Sequence, residues 1–412
     1  ESDAEALFRF KTETGNGKGH LTLREGKCAT LFTMLEDIPT PATATSTDET
    51  APFVLVVGGG QGGLALGAQL SSLDVPYLIV DKYPRVGDQW RSRYASLVLH
   101  DPVWFDHLPF KPFPDGWPVF TPKDQMGDWL EDYAKSLDLN VWTSTEFAGA
   151  TFDKATKTWA AQVIRNGEVI NLKPTHIVLA LGISGFPKVP EFDGRESFAG
   201  PQMHSSAYKG GSPFAGQKVV VVGANNSAHD IASDLVEHGA SPIMIQRSST
   251  LVVQQQDYCN RVIGSLYSAE AVERGITVDK ADILVGAAEM VADGRIGLRS
   301  GVTIERLGTD YVALSDGETL PADAIVYATG YGTMTDWVAA LIDAETAERV
   351  GPCWGYGSGK RGDPGHWIGE LRNMWKATAQ EGLWFTGGTL AQSRVYSRRL
   401  ALQLKGRHLG LV

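Results

Sequence analysis

Val54-Leu55-Val56-Val57 runs into Gly58-Gly59-Gly60-Gln61-Gly62-Gly63, and Leu64-Ala65-Leu66-Gly67-Ala68-Gln69-Leu70 continues with helical spacing and a small-residue face. Three glycines in such a turn do separate jobs. Gly58 permits a tight turn, Gly60 leaves room for a pyrophosphate, and Gly63 lets the helix pack closely on the strand. The helix amino terminus then turns free N–H groups and its dipole toward phosphate. The next apolar run, Tyr77-Leu78-Ile79-Val80, ends in Asp81, at the spacing where a carboxylate accepts hydrogen bonds from a ribose diol. Asp81 does not by itself separate NAD from FAD, because both carry the same adenosine ribose.

A second turn of the same form follows Val219-Val220-Val221-Val222. It reads Gly223-Ala224-Asn225-Asn226-Ser227-Ala228, with His229-Asp230-Ile231-Ala232-Ser233-Asp234-Leu235 as its helix. Ala228 in the third position is tolerated. Asn225 in the second is the departure: it enters the left-handed region more easily than most residues but adds bulk near a phosphate. The strand Pro242-Ile243-Met244-Ile245 ends in Gln246-Arg247-Ser248-Ser249-Thr250 rather than in an acid. A guanidinium with hydroxyls suits a 2′-phosphate that a carboxylate would repel, so NADPH is expected over NADH, the alternative being a solvated arginine.

These turns need parallel strands and covering helices to hold them. From Phe53 onward apolar runs alternate with helical segments, the pattern of a parallel sheet covered by helices. The expected fold class is α/β, with two Rossmann-like dinucleotide-binding units, the second inserted into the first. Leu7 to Phe10, His20 to Arg24 and Cys28 to Met34 alternate apolar and polar residues and read as a short β-meander before them. The expected division is a meander over 1–38, a linker rich in proline and threonine over 39–51, a first-unit segment over 52–197, the second unit over 198–322, and the rest of the first unit over 323–412.

The composition narrows the function classes. The 412 residues carry a net charge of −11 without a Lys/Arg block, against a nucleic-acid partner. Cys28, Cys259 and Cys353 are too scattered for a metal cluster or a CxxC redox pair, so no metal is expected. No apolar run approaches the roughly 20 residues of a membrane span. A cytoplasmic protein acting on a small molecule is expected. The chain opens on Glu1 rather than methionine, so upstream residues are expected too.

Phe198-Ala199-Gly200-Pro201-Gln202-Met203-His204-Ser205-Ser206-Ala207-Tyr208 resembles the FxGxxxHxxx(Y/F) motif of flavin-containing monooxygenases. Tyr208 favours the N- and S-oxygenating branch over Baeyer-Villiger relatives, which end the motif in tryptophan. The resemblance runs from about Pro52 to Leu411. It takes in Leu181-Gly182, Ala328-Thr329-Gly330-Tyr331 as a crossing between domains, and Trp384-Phe385-Thr386-Gly387-Gly388 as a final flavin-facing turn. Lys82 to Arg91 resembles the segment whose Gly-x-x-Trp run passes over a flavin. The resemblance therefore implies Gly58, Gly60, Gly63, Asp81, Lys82, Gln89, Trp90, His100 and Gly388 around FAD. Tyr208, Gly223, Asn225, Asn226, Ser227, Arg247, Ser248, Thr329 and Gly330 would lie around NADPH.

Leu97-Val98-Leu99-His100 resembles plant indole-pyruvate flavin monooxygenases. His100, the one candidate for a catalytic role, could steady an oxygenated flavin or be a satisfied buried histidine. The implied reaction passes hydride from NADPH to FAD, forms a C4a-hydroperoxide with O2, and oxygenates a small substrate at nitrogen, sulfur or a carbonyl carbon. A plain NADPH:acceptor reductase and a non-catalytic redox sensor are the competing readings, and a homodimer is left open. The meander resembles the end of a cone-shaped polyketide-cyclase-like domain. Between Ala281 and Met290 relatives carry a longer helical segment. The aromatics Trp104, Phe105, Phe110, Phe113, Trp117 and Phe120 either line a substrate entrance or fill core. Ser393 to Ser397 is expected to open a terminal helix that pins the flavin domain or simply packs.

Overall fold

The computed structural model describes residues 4–13, 15–38, 50–183, 185–248, 289–353 and 372–412. Its centre is two five-stranded parallel sheets. The first runs Leu383–Phe385, His176–Leu179, Val54–Val57, Tyr77–Val80, Val141–Trp142. Val54–Val57 and His176–Leu179 are buried along their whole length, which is why they read as unbroken or nearly unbroken apolar runs rather than alternating ones. Helix α1, Gln61–Ser72, and the terminal helix Leu390–His408 pack together on one face. The terminal helix starts at Leu390, earlier than the sequence suggests, because Thr389 and Gln392 form a reciprocal capping box.

The second sheet runs Gln202–His204, Ala324–Tyr327, Lys218–Val222, Ser241–Gln246, Gly297–Ser300, again all parallel. This corrects the expected boundary. Ala324–Tyr327, assigned to the first unit by a division at 322/323, lies between two strands of the second. Its apolar run fits either parallel sheet, so pattern alone could not place it. The crossings between units meet in an isolated antiparallel bridge between Pro187 and Tyr331.

The meander forms as three antiparallel strands, Ala4–Thr12, Gly15–Arg24 and Lys27–Leu35. Glu25 and Gly26, at φ 51° and 72°, make its two-residue turn. Arg398 donates to the Glu36 carbonyl at 3.2 Å and Arg399 lies over Phe32, which ties the meander to the terminal helix. Of the linker expected over 39–51, residues 39–49 lie outside the described residues, as does the segment from Ala281 to Ala288.

The aromatic stretch divides. Phe113 stacks on Trp117 and meets Trp129 edge-on in the core, whereas Trp104 and Phe110 are exposed. Among the described residues no helix is long and apolar enough to cross a membrane.

Candidate functional site

The two glycine turns have closely similar backbones. Gly58 sits at φ 112° and Gly223 at φ 123°, where an L side chain is strained. A Cβ on either would also stand 2.5 Å from the Ala180 carbonyl oxygen or 2.3 Å from that of Ala328. Both carbonyls follow the neighbouring parallel strand, so each turn is pressed against the next strand end. Gly60 and Asn225 are equivalent too: both cap their helix in extended backbone, at φ −79° and −107°. The left-handed conformation weighed for Asn225 is therefore not used. Its side chain instead accepts from the Asn226 amide at 3.1 Å.

Around the first turn the chain leaves polar groups aimed inward. Asp81 accepts from the Gly59 N–H at 2.6 Å and from the Tyr83 N–H at 2.9 Å. Burial raises its pKa, opposed by those bonds. Gln61 donates to the Gly388 carbonyl at 3.2 Å, joining the turn to the far end of the chain. Both polar atoms of the Gln89 amide are buried without a partner among the described residues, beside the space a Gly60 Cβ would take. Trp90 Nε1 and Thr386 Oγ1 are likewise buried with no partner among the described residues. Buried polar groups are almost always hydrogen-bonded, so this donor and acceptor set fits a large polar prosthetic group. Lys82 points outward over Tyr83.

The FxGxxxHxxx(Y/F) motif turns out to be a joint. Phe198 is core, and a Cβ on Gly200 would lie 2.0 Å from the Asp323 carbonyl oxygen. His204 donates from Nε2 to the Gly330 carbonyl at 2.9 Å and accepts at Nδ1 from the Ser206 N–H. Thr329 donates to the Lys188 carbonyl at 2.6 Å, so the crossing segments are held by these residues. Tyr208, expected beside NADPH, is instead buried to 1% exposure and donates to Asp234 at 2.6 Å. Its phenol supports the helix from inside, because burial leaves the hydroxyl needing an acceptor.

His100 is not presented to the first turn alone. Its Nε2 lies 3.0 Å from Asp230 and its Nδ1 3.1 Å from the Asn226 amide nitrogen, both on the second-unit helix α4, Asn226–Glu237. Tyr94 donates to the same Asp230 oxygen at 2.6 Å. Arg247 and Ser248 are exposed just past Ser241–Gln246. Ser227 is half-buried on the first turn of α4. Ser249 and Thr250 lie outside the described residues.

Sequence reasoning missed Tyr94, Asp230 and Asp106. Asp230 had a signal: it shares α4 with the fully buried Ala228, Ile231, Ala232 and Leu235, where an acid needs partners. Asp106 is 2% exposed and its Oδ1 has no partner among the described residues. Burial, helped by the Asp101 carboxylate and opposed by Arg394, pushes its pKa up to about 8. Between about 4 and about 8 the folded protein therefore holds a proton that the unfolded chain has lost, and stability falls as pH rises through that window. Asp106→Asn should melt above the parent at pH 8, with the gap closing toward pH 5 in thermal unfolding scans. A gap independent of pH would refute a neutral Asp106.

A cavity of about 1090 Å³ opens between the meander and the terminal helix, lined by Leu31, Phe32, Trp375, Tyr396 and others. It shares no residue with either glycine turn, so it is not where the two nucleotide sites meet.

Comparison with known proteins agrees with this architecture. Residues 55–350 match the family described as pyridine nucleotide-disulphide oxidoreductase. Indole-3-pyruvate monooxygenase YUCCA1 of Oryza sativa subsp. japonica is 31% identical over 337 residues, 73% of this chain and 82% of the relative. Probable indole-3-pyruvate monooxygenase YUCCA8 of Arabidopsis thaliana is also 31% identical, over 67% of this chain and 74% of the relative. Among solved structures, a flavin-containing monooxygenase from Stenotrophomonas maltophilia superposes with a TM-score of 0.66 at 20% identity, covering 87% of this chain and 99% of that one. Cyclohexanone monooxygenase in an open form gives 0.62 at 15%, covering 87% and 88%. The structural neighbours share the fold, and the sequence relatives carry the kinship further. Two glycine turns on inserted parallel sheets, joined through the FxGxxxHxxx(Y/F) motif and matched by these relatives, place this chain in the flavin-containing monooxygenase family, as an oxidoreductase that works with a flavin and a nicotinamide cofactor.

Proposed function

We propose that the chain binds FAD at the Gly58 turn and NADPH at the Gly223 turn, and oxygenates a small organic substrate with O2. The observation that carries this reading is the unpartnered, buried Gln89 amide beside Gly60, set against a second turn of matching backbone in the inserted unit. Asp81 would hold the adenosine ribose, Gly60 would leave the pyrophosphate its space, and Gln89 and Trp90 would donate to the ring system. Arg247 and Ser248 would receive the 2′-phosphate of NADPH. The bound flavin supplies hydride acceptance and oxygen activation. What the protein adds is orientation and the exclusion of water.

The substrate class follows from the relatives named for indole-3-pyruvate: an aromatic 2-oxo acid, with amines and sulfides as the competing classes that Tyr208 first suggested. NADPH oxidation should be matched mole for mole by oxygenated product in at least one of these classes, with little hydrogen peroxide. Oxygen uptake, peroxide and product would be measured together. If peroxide accounts for all NADPH across 2-oxo acids, amines, sulfides and ketones, the chain is a reductase or oxidase instead. If neither NADPH nor NADH is turned over, the redox-sensor reading stands.

A further inference from the structure

Three residues from the first unit and α4 converge where the two dinucleotide units face each other. Tyr94 donates to Asp230 Oδ2 at 2.6 Å, and His100 Nε2 reaches the same oxygen at 3.0 Å. The other ring nitrogen of His100 accepts from the Asn226 amide at 3.1 Å. Asn226 opens α4 and directly follows its cap, Asn225, in the second glycine turn. The segment that carries Tyr94 and His100 is rooted in both units: Ala95 donates to the Lys209 carbonyl at 3.0 Å, and Tyr94 and Leu97 pack into the second-unit core, while other bonds hold it to the first. Leu99 donates to the Thr121 carbonyl, and Lys123 donates to the Leu97 carbonyl. One carboxylate thus takes two of the side-chain hydrogen bonds that hold this segment against the start of the second nucleotide helix, from partners 136 and 130 residues away.

We propose that Asp230 is a positioning residue, which fixes the nicotinamide-nucleotide turn relative to the flavin turn by holding Tyr94 and His100 across the interface. This deepens the reading given above and rests on it for its kinetic part. Hydride transfer needs the donor and acceptor rings at one distance and one angle. Each glycine turn can bind its nucleotide alone, but only the contact between units sets the separation of the two. The carboxylate suits the task because both donors reach one oxygen, and an ionised acceptor makes the stronger bond. The Asp230 bond raises the His100 pKa, as does Asp101, against burial and Arg93. His229, beside Asp230 on α4, has its pKa lowered by burial.

The test uses the flavin-loaded full chain with Asp230→Ala and Asp230→Asn. Amide hydrogen exchange comes first, because it reads the contact without turnover. Exchange should rise at residues 94–100 and 226–232 in Asp230→Ala and stay at the parent level in 54–80. NADP⁺ titration should change little, whereas anaerobic flavin reduction at saturating NADPH should slow at least roughly tenfold, a barrier higher by about 1.4 kcal/mol. Asp230→Asn keeps an oxygen for both donors and should fall between Ala and parent in both readouts. Unchanged exchange in Asp230→Ala removes the contact as a latch. Raised exchange with parent reduction rates removes its positioning role. A parent that NADPH does not reduce overturns the proposed cofactor instead, and the exchange result then still decides the latch.

Discussion

Gly60→Val is expected to give a folded protein that carries almost no flavin. Gly60 is extended, at φ −79°, so the backbone itself accepts a side chain. A Cβ there would meet only the Gln89 amide nitrogen, at 3.3 Å, a contact that small movements relieve. The branches of valine would instead stand in the space left for a pyrophosphate at the start of α1. Gly58→Val and Gly63→Val supply the contrast. At Gly58 the φ of 112° and a 2.5 Å approach to Ala180 forbid a side chain, and at Gly63 the Cβ would be 1.9 Å from the Gly58 carbonyl oxygen. Those two should be insoluble or strongly destabilised. The comparison needs absorbance for the flavin-to-protein ratio and melting curves against flavin-stripped parent. Yellow Gly60→Val protein at parent ratio would remove the flavin assignment from this turn.

Arg247→Ala should cost NADPH affinity while sparing NADH. Arg247 is exposed immediately after the strand Ser241–Gln246, where the adenosine ribose of a second-site nucleotide is expected. A hydrogen bond to a charged group contributes about 1.5–3 kcal/mol, so NADPH binding should weaken roughly tenfold to a hundredfold or more. NADH has no phosphate at that position and should be little changed. The flavin should remain, because Gly58 to Gly63 lie in the other unit. Flavin reduction measured over a range of each coenzyme separates the cases. Equal losses for both would mean that Arg247 supports the fold rather than the phosphate.

Both predictions rest on residues whose meaning is local. Gly58, Gly60, Gly63 and Asp81 are legible because a turn and the strand after it impose spacing on a short stretch of chain. The parallel sheets were legible for a similar reason: strands buried on both faces write themselves as apolar runs. What the sequence withheld was pairing across distance. Nothing local tells Tyr94 and His100 that Asp230 lies opposite them, and nothing in Ala324-Ile325-Val326-Tyr327 says which of two parallel sheets it joins. Tyr208 shows a third limit. Its place in a motif was legible, but the motif identifies a family, and only the burial of the phenol against Asp234 shows what the residue does here.

The order of the strands carries a consequence for synthesis. The second sheet begins at Gln202, and all five of its strands are available once Tyr327 has been made, so that unit can close while the ribosome is still working. The first sheet cannot. Its edge strand Leu383–Phe385 and the helix that covers α1 are translated last, and Gln61 meets Gly388 only after a gap of 327 residues. At about 5–20 residues per second the nascent Gly58 turn waits on the order of tens of seconds for its partners. The part of the chain that emerges early enough to bind a flavin is thus among the last to acquire its finished shape, and a nonsense codon between Tyr327 and Leu383 would leave a closed second unit attached to an open first one.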